Sequence, residues 1–123
     1  MAKIRKISIP ISMDALNRLN YDICESGDLL EIIIEESEFD SLLKTGLFVE
    51  INKKLDVLVG DYEDELIFSK DFEVLGKILY DFIFINPNNK VLYKLYLIYE
   101  IACVLKTGIL ISFTPINLGL HSP

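Results

Sequence analysis

The chain begins with an alternation of apolar and polar residues over positions 3–11, which predicts a β-strand. Pro10 cannot donate a ladder hydrogen bond, so this strand lies at a sheet edge or ends there. Ser12 has the side chain of a helix N-cap. A helix is predicted after it because apolar residues recur at helical spacing, at Met13, Leu16, Leu19 and Ile23.

The middle of the chain predicts mainly strands. Residues 29–35 (LLEIIIE) have the length and β-branching of a largely buried strand, and a short helix over 38–45 follows. The segments LFVEIN and KLDVLVG alternate and predict a hairpin that turns near Asn52–Lys54. A charged turn at 61–65 (DYEDE) then leads to a brief strand at 66–68.

The last part of the chain predicts two helices and a strand. A stripe of apolar residues indicates a helix over 70–85, and Asn86-Pro87-Asn88-Asn89 breaks it. Residues 90–107 form a helix that is apolar nearly all round, which predicts a central, buried helix. A final strand follows at 109–113.

These elements predict one α+β domain over residues 1–113, with a C-terminal tail at 114–123 on the surface. We expect about six strands, including a central antiparallel meander, and four helices, of which the last long one is buried. The pattern does not determine the order of the strands.

Charge is distributed unevenly along the chain, whose net charge is −7. Eighteen of the nineteen carboxylates lie between Asp14 and Asp81, and residues 19–43 carry eight of them without one Lys or Arg. Such a field repels anionic partners and attracts cationic ones. Nucleic acid is therefore not an expected partner, because its binding depends on basic residues.

Catalytic groups are scarce in this sequence. His121 is the only histidine and lies in the C-terminal tail, so a Ser-His or Cys-His pair is not expected. Cys24 and Cys103 lie among apolar residues and are predicted to be buried free thiols. No phosphate-binding, dinucleotide-binding or zinc-protease motif is present. We expect no cofactor, no catalytic residue and a protein that is not an enzyme.

Two local features allow alternative interpretations. The DYEDE turn offers oxygen ligands that suit Ca²⁺ or Mg²⁺, but it lacks the glycine and the spacing of an EF-hand loop. A solvated acidic turn is the favoured interpretation. Tyr93, Tyr96 and Tyr99 form a stripe that either borders the core or binds a partner.

No apolar segment has the length of a signal peptide or a membrane span, so a cytoplasmic protein without membrane contact is expected.

Small size, acidity and missing catalytic motifs are typical of immunity proteins. The chain resembles the immunity partners of bacterial contact-dependent growth-inhibition toxins in its stretch DLLEIIIEESEFD, in LFVEINKKLDVLVG with its DYEDE turn, and in its lack of an active-site motif. The resemblance implies tight binding to a basic toxin domain, commonly a nuclease.

The residues expected to bind this partner form two groups. Their carboxylates would pair with Lys and Arg of the toxin, and Tyr62 would be an aromatic anchor among them. The predicted partner-binding residues are Glu35, Glu36, Glu38, Asp40, Asp61, Tyr62, Glu63, Asp64 and Glu65.

Four alternatives remain open at this point. The acidic residues could be a solvated surface without a binding role. The protein could be a small carboxylate-based metal-binding domain or enzyme, or a structural or oligomeric subunit that uses the apolar C-terminal third. It could also bind through an exposed strand edge. The expected oligomeric state is a monomer or a weak homo-oligomer.

Overall fold

The computed structural model describes residues 5–60 and 64–113. These residues form an α+β fold with a four-stranded antiparallel sheet in the order β2-β1-β4-β3. The strands are β1 (Arg5–Pro10), β2 (Leu29–Ile34), β3 (Glu65–Phe68) and β4 (Gly108–Ser112). The helices are α1 (Met13–Asn20), α2 (Glu36–Leu43), α3 (Leu47–Leu55), α4 (Phe72–Ile85) and α5 (Lys90–Leu105), with a 3₁₀ turn at Ser69–Asp71.

The predicted α+β class is confirmed, but the predicted central hairpin is wrong. Residues 47–55 form helix α3, so the described residues hold four strands and five helices rather than six and four. Leu47 and Ile51 fit a strand alternation, but together with Phe48 they also form a buried helical face. Asp56, at a left-handed φ of 55°, ends this helix where a hairpin strand was expected.

The first and last strands of the sequence, β1 and β4, are the two central strands of the sheet. β1 pairs with β2 on one side and with β4 on the other. Pro10 had predicted either an edge strand or the end of the strand, and it is the last residue of β1. β2 is an edge strand, and its Leu30 and Ile33 are exposed. The prediction of a largely buried β2 is therefore wrong, because an edge strand has a neighbour on one side only.

The core lies between one face of the sheet and helices α3, α4 and α5. Ile7 and Ile9 point to this face from β1, and Ile109 and Ile111 do so from β4. A small cavity of about 30 Å³ remains where these strands meet the three helices. The opposite face receives α1, whose Ser12 caps it by accepting a hydrogen bond from the Ala15 N–H, as predicted.

Helices α4 and α5 form an antiparallel hairpin in which Gly76 of α4 packs against Tyr99 of α5. A Cβ atom at this position would lie 2.5 Å from Cζ of Tyr99 and still closer to its hydroxyl oxygen. That hydroxyl donates a 2.8 Å hydrogen bond to the carbonyl of Phe72, at the start of α4. Burial raises the pKa of Tyr99 to about 12, with a smaller contribution from the Cys103 thiol.

Helix α5 is buried on one side only, which corrects the prediction of a central, buried helix. Its Leu92, Leu95, Ile98 and Ala102 face the core. On the other side Leu97 is 61% exposed and Val104 79% exposed. The fold has one sheet against which α5 packs, and no described element covers the outer side of the helix.

The tyrosine stripe of α5 is divided between these two environments. Tyr96 and Tyr99 are half-buried and pack on each other with ring centroids 5.6 Å apart. Tyr93 is exposed, and its hydroxyl donates to the carbonyl of Pro87.

Both cysteines are free, as predicted, but their exposure differs from the prediction that both are buried. Cys24 is exposed and Cys103 is half-buried.

Candidate acidic interface

The two predicted groups of interface residues lie at the same end of the sheet. Glu35 directly follows the last residue of β2, and Glu65 is the first residue of β3. Since β2 and β3 are the two edges of a four-stranded sheet, three strand spacings, or roughly 14 Å, separate them. Of the second group, Asp61, Tyr62 and Glu63 lie outside the described residues.

The first group surrounds the N-terminus of α2. Glu38 accepts a 2.9 Å hydrogen bond from the Glu35 N–H, and its carboxylate also pairs with the Lys94 ammonium at 2.9 Å. The pKa of Glu38 lies below its ordinary value, chiefly because of the Glu35 N–H, while partial burial works against the shift. Acidic side chains in this first turn also interact favourably with the helix dipole.

Glu36 is held by the buried guanidinium of Arg5. The Nε and Nη2 atoms of Arg5 donate to the two oxygens of Glu36 at 3.1 and 3.2 Å, and Nη1 donates to the Phe113 carbonyl at 2.7 Å. Arg5 is 2% exposed, whereas the Glu36 side chain remains 52% exposed. Glu36 is therefore an exposed carboxylate whose charge is offset by a buried guanidinium.

The other predicted interface residues that the structure describes differ in their exposure to solvent. Asp40 is exposed on α2, and Asp64 is exposed just before β3. Glu65 is half-buried, and it accepts a 2.9 Å hydrogen bond from the Leu58 N–H. Asp40 and Asp64 are thus exposed carboxylates on the two sides of this end of the sheet.

Asn52 positions the chain between α3 and the second acidic group. Its amide nitrogen donates to the Val59 carbonyl at 3.0 Å, and its side-chain oxygen accepts from the Val59 N–H at 2.7 Å. The side-chain amide of Asn52 thus both donates to and accepts from the backbone of Val59, as a paired strand residue would. This pairing holds the segment around Val59 against α3. Asn52 itself lies in that helix, whereas the sequence predicted a hairpin turn at this position.

The acidic stretch at 19–43 does not form one continuous surface. Asp22, Glu25 and Asp28 precede β2, while Glu35 and Asp40 follow it, so the strand separates them by about 20 Å. At the far end, Arg18 pairs with the buried Asp28 through two 2.7 Å bonds and approaches Glu25 at 3.7 Å. The acids that adjoin one another in sequence therefore belong to opposite ends of the sheet.

Tertiary contacts supply the bases that this stretch lacks. Lys6 pairs with Glu31 at 2.6 Å across neighbouring strands, in addition to the ion pairs of Arg5, Arg18 and Lys94. Local spacing gave no sign of these partners, because Arg5 and Lys94 lie 31 and 56 residues from their acids. These ion pairs reduce the mutual repulsion of the acids in the stretch.

Within residues 5–60 and 64–113, no group of three or more acidic, histidine or cysteine side chains is arranged to hold a metal ion. No helix in the same part of the chain combines the length and the apolar character needed to cross a membrane. A search of protein families, curated proteins and solved structures yields no match to this chain.

Proposed function

We propose that this protein binds a basic protein domain through the acidic end of its sheet and thereby blocks the surface that the domain uses for its own substrate. The observation that supports the proposal is the position of Asp40 and Asp64, exposed on the two sides of that end. The resemblance to immunity proteins of growth-inhibition toxins implies that the partner is a toxin domain, with nucleases the expected activity.

The structure refines which carboxylates contribute to this binding. Glu36 and Glu38 are neutralised in part by Arg5 and Lys94, so their contribution to the acidic field is reduced. Asp40 on the α2 side and Asp64 at the opposite edge are exposed members of the same field. Attraction by such a field raises the association rate more than it lowers the dissociation rate.

A charge-reversal experiment tests the proposal. The probe is the C-terminal domain of a large secreted protein encoded next to this chain, with the association rate measured by stopped flow over a range of salt concentrations. The variant Asp40→Lys/Asp64→Lys is expected to bind at least about tenfold more slowly at low salt and to lose most of its salt dependence.

The matched control changes the net charge by the same amount at the other end of the sheet. Asp14 and Glu25 are both exposed, so Asp14→Lys/Glu25→Lys is expected to slow association much less. Circular dichroism and thermal melting establish that both double variants fold. Equal association rates for the two double variants, or no binding of the neighbouring domain by the unaltered protein, would refute the proposal.

A further inference from the structure

The outer side of the α4–α5 hairpin carries several of the most exposed large apolar side chains of the described residues. Phe84 is 80% exposed, Val104 79% and Ile85 72%. Soluble monomers rarely expose a large contiguous apolar patch unless it is an interaction site. The large apolar side chains exposed on these two helices include Tyr80, Phe84, Ile85, Tyr93, Leu97, Ile101 and Val104.

The exposed residues along α5 follow a heptad seam. Positions 90, 93, 97, 100 and 104 are separated by three, four, three and four residues, the spacing with which two helices pack along their length. All five side chains, namely Lys90, Tyr93, Leu97, Glu100 and Val104, are exposed. A seam of this kind on a helix that is apolar on both sides is suited to a second helix.

From this seam we infer that the protein forms a symmetric dimer in which α5 packs antiparallel against α5 of a second copy. The two helices are related by a twofold axis that crosses the seam between Tyr93 and Leu97. Tyr93 of each copy then contacts Leu97 of the other, because antiparallel seams bring the two heptad positions opposite each other.

The same register makes the two charges of the seam complementary. Glu100 of one copy lies opposite Lys90 of the other, and the symmetry creates this pair twice. Within the described residues neither Lys90 nor Glu100 has an ion-pair partner in its own chain. Lys90 also lies in the first turn of α5, where the helix dipole disfavours a cation, and an intermolecular carboxylate offsets this cost.

The rest of the hairpin fits this arrangement. Gly76 contacts Tyr99 in the antiparallel hairpin, which places Tyr80 level with the centre of the α5 seam. Tyr80 therefore approaches Tyr80 of the second copy, and Val104 approaches the end of α4 in that copy. The exposed apolar side chains provide several hundred Å² per chain, on the scale of the roughly 800 Å² that each partner buries in a standard interface.

A second copy fits this surface better than a basic partner or an anionic membrane. The exposed charges of the two helices are of both signs and nearly balance, with Lys77 paired to Asp81 within α4. They are Glu73, Lys77, Asp81, Lys90 and Glu100. Two chains of net charge −7 repel each other least where their contact surfaces carry little net charge. The acidic end of the sheet is formed by β2, α2 and β3, and α5 reaches it through Lys94, which pairs with Glu38 and is not a seam residue. Asp40 and Asp64 therefore stay accessible in the dimer.

Sedimentation equilibrium of the full chain over micromolar to submillimolar concentrations tests the inference. We expect a reversible species of twice the 14.1 kDa chain mass. Lys90→Glu places two acidic pairs in the interface, and Glu100→Lys places two basic pairs there, so each variant is expected to dimerise at least about tenfold more weakly. The double variant Lys90→Glu/Glu100→Lys restores opposite charges and is expected to regain most of the affinity.

Lys44→Glu provides a matched control, since Lys44 is exposed on the C-terminal end of α2 and the change in net charge is the same as in Lys90→Glu. It is expected to leave dimerisation nearly unchanged. Circular dichroism monitors the fold of every variant. A monomer at all concentrations, a failure of the double variant to recover, or equal weakening by Lys44→Glu would overturn the inference. Because Asp40 and Asp64 are not seam residues, these outcomes are distinguishable from those of the toxin-binding experiment.

Discussion

The guanidinium carbon of Arg5 lies 3.5 Å from the centroid of the Phe39 ring, in a stacked cation–π contact. Phe39 in turn packs on Phe48 and Phe113, with ring centroids 5.8 and 5.2 Å away. One buried cation thus connects the first strand, the start of α2 and the end of the described chain. The contact joins the core to the carboxylate of Glu36 at the candidate interface.

Arg5→Lys is expected to destabilise the protein by about 1–3 kcal/mol, although the charge is kept. A lysine loses the two-pronged hydrogen bonding to Glu36 and the planar stack on Phe39. Urea denaturation followed by circular dichroism measures the loss. Lys53→Arg on the exposed part of α3 is the control and should change stability by less than about 0.5 kcal/mol. A stability of Arg5→Lys within that same range would contradict the structural role of the cluster.

Gly76→Ala is expected to destabilise the protein by about 2–3 kcal/mol, although Ala is the better helix former by about 1 kcal/mol. The reason is the overlap of the new Cβ with the phenol ring of Tyr99. Thermal or urea unfolding measures the change. Adding Tyr99→Leu removes the ring, so in that background the Ala substitution should be neutral or stabilise by up to about 1 kcal/mol. If Gly76→Ala costs the same in both backgrounds, the close contact is not its cause.

Ser8→Ala is expected to stabilise the protein by on the order of 1 kcal/mol. Ser8 is completely buried in β1, and among the described residues its hydroxyl has no hydrogen-bond partner. Removing an unpaired buried hydroxyl eliminates its desolvation cost with little loss of packing. Thr107 is the comparison, since its buried hydroxyl donates to the Pro10 carbonyl at 2.7 Å, and Thr107→Val should destabilise. A clear loss of stability in Ser8→Ala would show that the hydroxyl is paired in solution.

The Arg18–Asp28 pair predicts a pH dependence of folding. Hydrogen bonds from Arg18 and from the Glu25 N–H lower the pKa of Asp28 to about 2, below its value of roughly 3.9 in an unfolded chain. The unfolded state then binds more protons between these values, so the stabilisation is complete above about pH 4 and is lost as the pH falls towards 2.

Urea denaturation at several pH values compares the unaltered protein with Asp28→Asn. The variant is expected to be less stable at neutral pH and to lose less stability on acidification, so the two curves converge near pH 2. Glu31→Gln serves as the control, since it removes an exposed carboxylate from the Lys6 pair. Parallel pH profiles for Asp28→Asn and the unaltered protein would refute the assignment.

The sequence alone identified those elements whose periodicity admits one interpretation. The strands at 3–11 and 109–113 and the helices at 70–85 and 90–107 correspond to β1, β4, α4 and α5, with small shifts at their ends. Residues 47–55 satisfied two periods at once, because Leu47 and Ile51 fit an alternating strand as well as a helical face. Packing of Phe48 and Ile51 against the sheet selects the helix.

The candidate site was predictable in part, since residue types and net charge favoured an acidic recognition surface. That Glu35 and Glu65 flank one end of the sheet follows from the strand order, which the sequence left open. Local patterns specify secondary structure because they depend on neighbours along the chain. Ion pairs such as Arg5–Glu36, and the exposed side of α5, depend on which distant segments meet, and only the tertiary structure decides that.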